Sequence, residues 1–309
     1  MLRTVVVAQA KREHCSCFHS IGEYMATTAK QRRLARRLRQ LRTQAGKTVE
    51  DAASQLDCKH PKISKIETNQ SGVKPEEVRL LCQLYGASDH TTESMVTLAR
   101  NAKTRGWYLS YHGVANPENI DFAELETDSV SVSNFQIDLI PGLLQTPDYA
   151  RAVIRTGLPQ ITEDLIEHRV ELRTTRQERV LAGDLSVWAV ITEAALLRAM
   201  GGRDVHVAQL SRLLELAALP NVQFQVIPTR AGEHVSMGVP FDCFQFDDGF
   251  GAVAVDHLTG TLFLEEEPDV ERYRLAFLHL CSTALSPQDS LTLLRKYLKE
   301  EHSEWERRS

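Results

Sequence analysis

Thr48-Val-Glu-Asp-Ala-Ala-Ser-Gln-Leu-Asp-Cys-Lys-His-Pro-Lys-Ile-Ser-Lys-Ile-Glu67 is the stretch whose reading decides the N-terminal fold. Thr48 is a good N-cap, and Asp51 stands at the third helical position, an approximate capping box. Val49, Ala52, Ala53 and Leu56 then share one face of a short helix. After a tight connection at Asp57-Cys58, Ile63 and Ile66 mark the buried side of a second helix. Burying those two isoleucines turns Lys62 and Lys65 outward. Two short helices joined by a tight turn, with small Ala52 and Ala53 at the crossing, make a helix-turn-helix.

The flanks extend the helical pattern. Upstream, Leu34, Leu38 and Leu41 fall at i, i+4 and i+7, and Gly46 supplies a stop. Downstream, Pro75-Glu76-Glu77 opens a fourth helix, since proline at a first helical position needs no N–H there. A fifth helix is expected over 91–104, ending near Gly106-Trp107. Residues 29–106 therefore form an all-α domain. Residues 1–28 read as an N-terminal extension, and Met25, just before the first strong periodicity, is an alternative start.

Charge supports a split between two parts. The chain of 309 residues carries a net charge of −5, yet residues 26–74 hold twelve Lys/Arg against four Asp/Glu. Residues 75–309 hold twenty-one against thirty-five. Between 30 and 47 there are eight basic residues and no acid. A basic module on an acidic body suggests a polyanion-binding head. A recognition helix enters the major groove N-terminus first, which makes Lys59, His60, Pro61, Lys62, Ser64 and Lys65 candidates for contact with double-stranded DNA. Thr48, Asn69 and Lys74 are candidates for the flanking phosphates. One such head reads only a short half-site, so a homodimer is expected.

These residues resemble the XRE family of phage-repressor-like regulators: Thr48, Ala52-Ala53, Ile63-Ser64 and Ile66-Glu67 stand at its pattern positions. The resemblance implies a lambda-repressor-like fold and an ion pair between Arg42, late in the first helix, and Glu67. Val49 departs from the usual glutamine, which removes one phosphate contact. Lys59 replaces the usual serine cap.

Residues 107–117 read as a connector, 118–300 as an α+β domain, and 301–309 as a tail. Helices are expected at 118–126, 147–156, 162–181, 204–217, 269–284 and 287–300. Strands are expected at 130–139, 186–192, 222–228, 241–247, 252–256 and 261–264. P-loop, G-x-S-x-G, H-E-x-x-H and C-x-x-C motifs are all absent from the sequence, so an enzyme is not expected, nor a cofactor. His14-Cys15-Ser16-Cys17-Phe18-His19 has poor chelate spacing, and no metal is expected. No apolar run approaches the roughly 18–20 residues that span a bilayer, and a cytoplasmic location follows. Glu265-Glu266-Glu267 reads as solvated, and Glu167 and Glu171 with Arg169, Arg173 and Arg176 as an exposed salt-bridged face. His234 reads as a surface-loop histidine.

One further segment stands out, Leu139-Ile-Pro-Gly-Leu-Leu-Gln-Thr-Pro-Asp-Tyr-Ala-Arg151. With Trp188–Arg198, Leu219–Pro228 and Gly260–Glu266 it resembles, over about 30–298, the WhiJ-like regulators of filamentous actinobacteria. That resemblance implies an antitoxin-like regulator encoded beside a small BldB-like partner protein. Pro141, Gly142 and Gln145 are the candidates for holding a ligand or partner, and a purely structural strand-to-helix turn explains them equally well. The leading expectation is a DNA-binding transcriptional regulator whose second domain binds an effector or partner. The alternative is an antitoxin-like protein that sequesters its partner, with DNA binding as autoregulation.

Overall fold

A computed structural model describes residues 29–102, 106–111, 117–258 and 260–306. The expectations for 1–28, including Met25 and the His14–His19 segment, lie outside the described residues. The first domain comprises α1 (Ala29–Gln44), α2 (Val49–Gln55), α3 (His60–Glu67), α4 (Pro75–Tyr85) and α5 (Asp89–Asn101). Leu34 and Leu38 of α1 meet Ala52, Ala53, Ile63, Ile66, Val78, Leu81, Met95 and Val96 in one core. Gly46 adopts φ +63° and ends α1, a conformation that glycine enters without a Cβ clash.

The expected connector is not free. Residues Trp107–Tyr111 form a 3-10 turn whose Tyr108 is buried against Ile120, Ala123 and Leu172. Three aromatic side chains in five residues carry enough apolar surface to dock the segment on its neighbour.

The second domain is built from α6 (Pro117–Asp128), β1 (Ser131–Gln136), α7 (Pro147–Gly157), α8 (Glu163–Ala182), β2 (Ser186–Thr192), α9 (Glu193–Leu197) and α10 (Arg203–Leu216). It continues with β3 (Val222–Ile227), β4 (Phe241–Gln245), β5 (Gly251–His257), β6 (Gly260–Leu264), α11 (Glu267–Thr283) and α12 (Pro287–Glu306). The six strands form one mixed sheet in the order β3-β2-β1-β4-β5-β6. Strands β1, β2 and β3 run parallel through helical crossovers, and β4, β5 and β6 add as antiparallel neighbours. The side-chain period of two then gives the sheet two buried faces. Val132, Val187, Ala189, Phe224, Phe244 and Ala254 face α6, α7, α8, α10 and α12. Phe135, Val190, Phe241 and Val253 face Phe277 and Leu280 of α11.

Several boundaries differ from expectation. The strand expected over 130–139 ends at Gln136, because the chain turns toward Pro141, which has no donor for a ladder. The strand expected to reach 247 ends at Gln245. The expected tail continues as helix to Glu306, and the Glu301 carbonyl accepts a hydrogen bond from Arg203, tying it to α10.

Candidate nucleic-acid interface

The helix-turn-helix is held by both local and distant bonds. The Thr48 hydroxyl accepts from the Asp51 N–H at 3.1 Å, and the Asp51 carboxylate accepts from the Thr48 N–H at 2.8 Å. Those bonds hold Asp51 below the usual carboxylate range. Asp57 (φ 47°) turns the chain from α2 into α3, and Asn69 (φ 58°) turns it out again; both residue types tolerate the left-handed region. Arg42 donates to both oxygens of Glu67, at 2.7 and 2.9 Å, and to the Lys47 carbonyl at 2.9 Å. This fork fastens the end of α3 to the end of α1, and the bond to Glu67 raises the Arg42 pKa. Glu67 is buried, with the Tyr85 hydroxyl nearby, whose pKa burial and then Glu67 raise.

Ile63 and Ile66 are each 1% exposed, and the opposite side of α3 is open. Lys59, His60, Pro61, Ser64 and Lys65 are all exposed. Among the described residues, Lys59 and Lys65 make no ion pair. His60 lies 3.4 Å from Glu50. Lys62 is turned outward as expected, its side chain 40% exposed, and its ammonium donates to Glu77 on α4. Glu77 also accepts from the Lys74 N–H at 3.0 Å, which leaves the Lys74 side chain outside the helix start. Asn69 lies apart from the others. It lines a cleft of about 780 Å³ between α1 and Glu266-Glu267-Pro268 of the second domain.

The basic face of α1 requires the main correction. Most of it meets the acidic body, while Arg39 stays exposed. Lys30 and Arg33 pair with Asp128, Arg32 with Asp121, Arg36 with Glu265 and Arg37 with Asp248. Arg33 sits 4.3 Å from the Phe246 ring centre, and Arg37 sits 4.9 and 4.7 Å from those of Phe246 and Phe250. Cations stacked on aromatic faces and paired with carboxylates tolerate burial. Burial, then the neighbouring Arg33, lowers the Arg37 pKa to about 10, so it stays charged at neutral pH. Further bonds join His90 to the Asp247 carbonyl (2.6 Å) and Gln40 to the Glu265 carbonyl (3.1 Å). Glu265 is accordingly part of this joint, whereas Glu266 and Glu267 are exposed, as the sequence reading expects.

Two other expectations fall on the second domain. Arg173 and Arg176 do not decorate an exposed helix face; both project into a cavity between α8 and the sheet. His234 is not a simple surface residue. Its ring meets Phe135 edge-on at 5.4 Å, its Nδ1 is buried without a partner among the described residues, and burial lowers its pKa.

The Pro141–Gln145 turn is clamped by three glutamines. Gln145 donates to the Ile140 carbonyl (2.7 Å) and accepts from Arg173 (2.6 Å). Gln177 donates to the carbonyls of Gly142 and Gln145, and Gln209 to that of Leu144. Gln145 is thus a brace for Arg173. Gly142 borders the cavity, and Pro141 lines it. Sequence reasoning missed Glu126, Asn134, Asp242, Arg173 and Arg176, which meet there. The available signal was Asn134 and Asp242 inside strand patterns, where such residues are depleted.

A tight helix-turn-helix with one uncovered cationic helix defines the N-terminal unit as a DNA-binding domain. The helix-turn-helix domain family matches residues 33–95. The family described as domain of unknown function (DUF5753) matches residues 120–296, more than half of the chain, and the protein belongs to it. No curated protein and no solved structure gave a match. Among the described residues no helix is long and apolar enough to cross a membrane.

Proposed function

We propose that this protein is a bacterial, cytoplasmic, sequence-specific transcriptional regulator of the XRE type. Residues 29–106 act as a lambda-repressor-like head, and the chain works as a homodimer and not as an enzyme. One observation carries the reading: Lys59, His60, Ser64 and Lys65 stand uncovered on the side of α3 away from Ile63 and Ile66. Arg32, Arg33, Arg36 and Arg37 of α1 are paired with the body and Arg42 with Glu67, so these side chains, with Lys74, are the ones proposed to meet a duplex. Lys62 joins them by exchanging Glu77 for phosphate. The second domain, residues 118–300, is proposed to take an effector or a small partner protein and to alter operator affinity.

The test uses a duplex selected from a random pool by the full chain, followed by fluorescence anisotropy across salt. Binding should fall with a log–log slope of about −0.9 per phosphate neutralised. Lys65→Ala should cost about 1–3 kcal/mol and relax one base preference if it meets a guanine edge. Two heads should protect half-sites about 34 Å apart. Salt-independent binding, or a Lys59→Ala/Lys65→Ala variant that binds like the wild type, refutes the reading.

The antitoxin-like alternative has one supporting observation, the open cleft between α1 and Glu266-Glu267-Pro268, with Arg32, Arg36 and Arg39 on one wall. Such a cleft is where a small BldB-like partner, which the sequence resemblance implies, is proposed to sit. Co-purification with the product of an adjacent small gene, abolishing DNA binding, would favour it.

A further inference from the structure

The second domain contains a cavity of about 200 Å³ enclosed by the Pro141–Gln145 turn, α6, α8 and strands β1 and β4. Three features of its wall are unexplained by folding alone. The first is a guanidinium that uses only part of its donor set. Arg176 is held by Glu126 through two bonds, at 2.5 and 3.0 Å. Arg173 lies beside it, and its only hydrogen bond among the described residues goes to the neutral Gln145. Asp256, also in the wall, is exposed at the rim and accepts from the Thr261 hydroxyl at 2.6 Å; it acts on Arg173 through its charge, without a hydrogen bond. Asp242 is buried in the sheet, where desolvation pushes its pKa up to about 7, so it compensates a cation only in part. Burial, then Arg176, lowers the Arg173 pKa to about 10, and it remains a cation at neutral pH.

The second feature is an unmet acceptor. Asn134 is 5% exposed; its amide nitrogen donates to Asp242, its cross-strand neighbour, and its Oδ1 is buried without a partner among the described residues. Buried side-chain polar atoms find a partner in the large majority of cases, so one left open at a cavity wall marks a place for a donor. The third is a missing side chain. A Cβ on Gly142 would stand 3.8 Å from Arg173 Nε and 3.9 Å from Arg176 Nη2, in ordinary contact, so a side chain longer than alanine here would reach over the guanidinium groups.

We infer that this cavity binds a small monocarboxylate that also carries a hydrogen-bond donor, a hydroxy acid or an amino acid, with its carboxylate on Arg173 and its donor on Asn134. Guanidinium groups match carboxylates in geometry as well as charge. The volume lies below the roughly 300 Å³ at which drug-sized pockets begin, which restricts the ligand to a small metabolite. With Glu126, Asp242 and Asp256 in the same wall, repulsion favours a single negative charge over a doubly charged phosphate. The inference rests on the proposed effector-binding role of this domain and names the chemistry of that effector. Its walls also lead to the head: Glu126 stands two residues from Asp128, and β4, which bears Asp242, runs directly into the Phe246–Asp248 turn that grips Arg33 and Arg37.

The test is calorimetric titration of the full chain with L-lactate, L-serine, acetate and inorganic phosphate. L-lactate or L-serine should bind at least tenfold tighter than acetate or phosphate, and Arg173→Gln should weaken that binding at least tenfold. Because Arg173→Gln can disturb folding, Gly142→Val provides a second variant, covering the guanidinium groups while the backbone stays unstrained; it too should abolish binding with circular dichroism unchanged. No binding by any probe, equal binding of acetate or phosphate, or binding retained in folded Gly142→Val overturns the inference. Anisotropy with a random-sequence duplex on the same samples separates the two readings. DNA binding without carboxylate binding overturns this site alone, whereas carboxylate binding without DNA binding overturns the regulator and leaves the site.

Discussion

Asp248→Ala removes the carboxylate that faces Arg37 at the joint between head and body, where the two side chains are 5% and 2% exposed. Removing one partner of a buried pair strands the other charge and costs about 3–5 kcal/mol. Two features reduce that figure. Arg37 keeps its stacking on Phe246 and Phe250 and some attraction to Glu265 and Asp128, and the head can lift away to hydrate the stranded guanidinium. A loss of about 3 kcal/mol is therefore expected, a fall in Tm of about 6–12 °C for a domain of this size. Urea unfolding of the full chain by circular dichroism, with small-angle scattering to register any undocking, is the assay. The double variant Arg37→Met/Asp248→Ala should recover most of the loss, since methionine fills the slot between the rings without a charge to solvate. A single variant within about 0.5 kcal/mol of wild type, or a double variant no better than the single, refutes this account, because additive losses would mean the two side chains are not coupled.

Two further outcomes concern the interior of each domain. Asp242 keeps its proton more tightly when folded, near pH 7, than when unfolded, near the ordinary carboxylate value of about 3.9. Its contribution to stability is therefore full below about pH 4 and is lost as pH rises through about 7. Asp242→Asn should flatten that dependence and stabilise the chain at pH 8 by at most ~4 kcal/mol; urea midpoints that fall in parallel for both proteins between pH 4 and 8 would exclude it. Glu67→Ala should cost about 2–3 kcal/mol, because it leaves Arg42 without the two bonds that join α1 to α3. Thermal unfolding of the head within the full chain measures this, and an unchanged transition would mean that the fork does not hold the helices together.

Much of the helical head was legible in order along the chain. Thr48, the alanine pair and the two isoleucines act over three to seven residues, a range at which helical periodicity and capping decide the local structure. The strands of the second domain were equally visible as short β-branched and aromatic runs between turn residues. What stayed hidden was the destination of each charge. The run from Lys30 to Arg42 has the same composition whether it meets phosphate or Asp128 and Asp248, which lie roughly 90 to 210 positions further along. Likewise Arg173 and Arg176 sit on a helix that looks amphipathic and exposed until the Pro141–Gln145 turn and β4 close around them.

The sequence by itself determined which segments become helix or strand and that a cationic helix-turn-helix leads an acidic domain, because those outcomes follow from neighbours a few residues apart. Only the tertiary structure decided that four arginines of the first helix fasten the head to the body, and that five polar residues from four elements line one cavity. Electrostatic pairing acts through space between groups far apart in the chain, and no local pattern records which partner a side chain will meet.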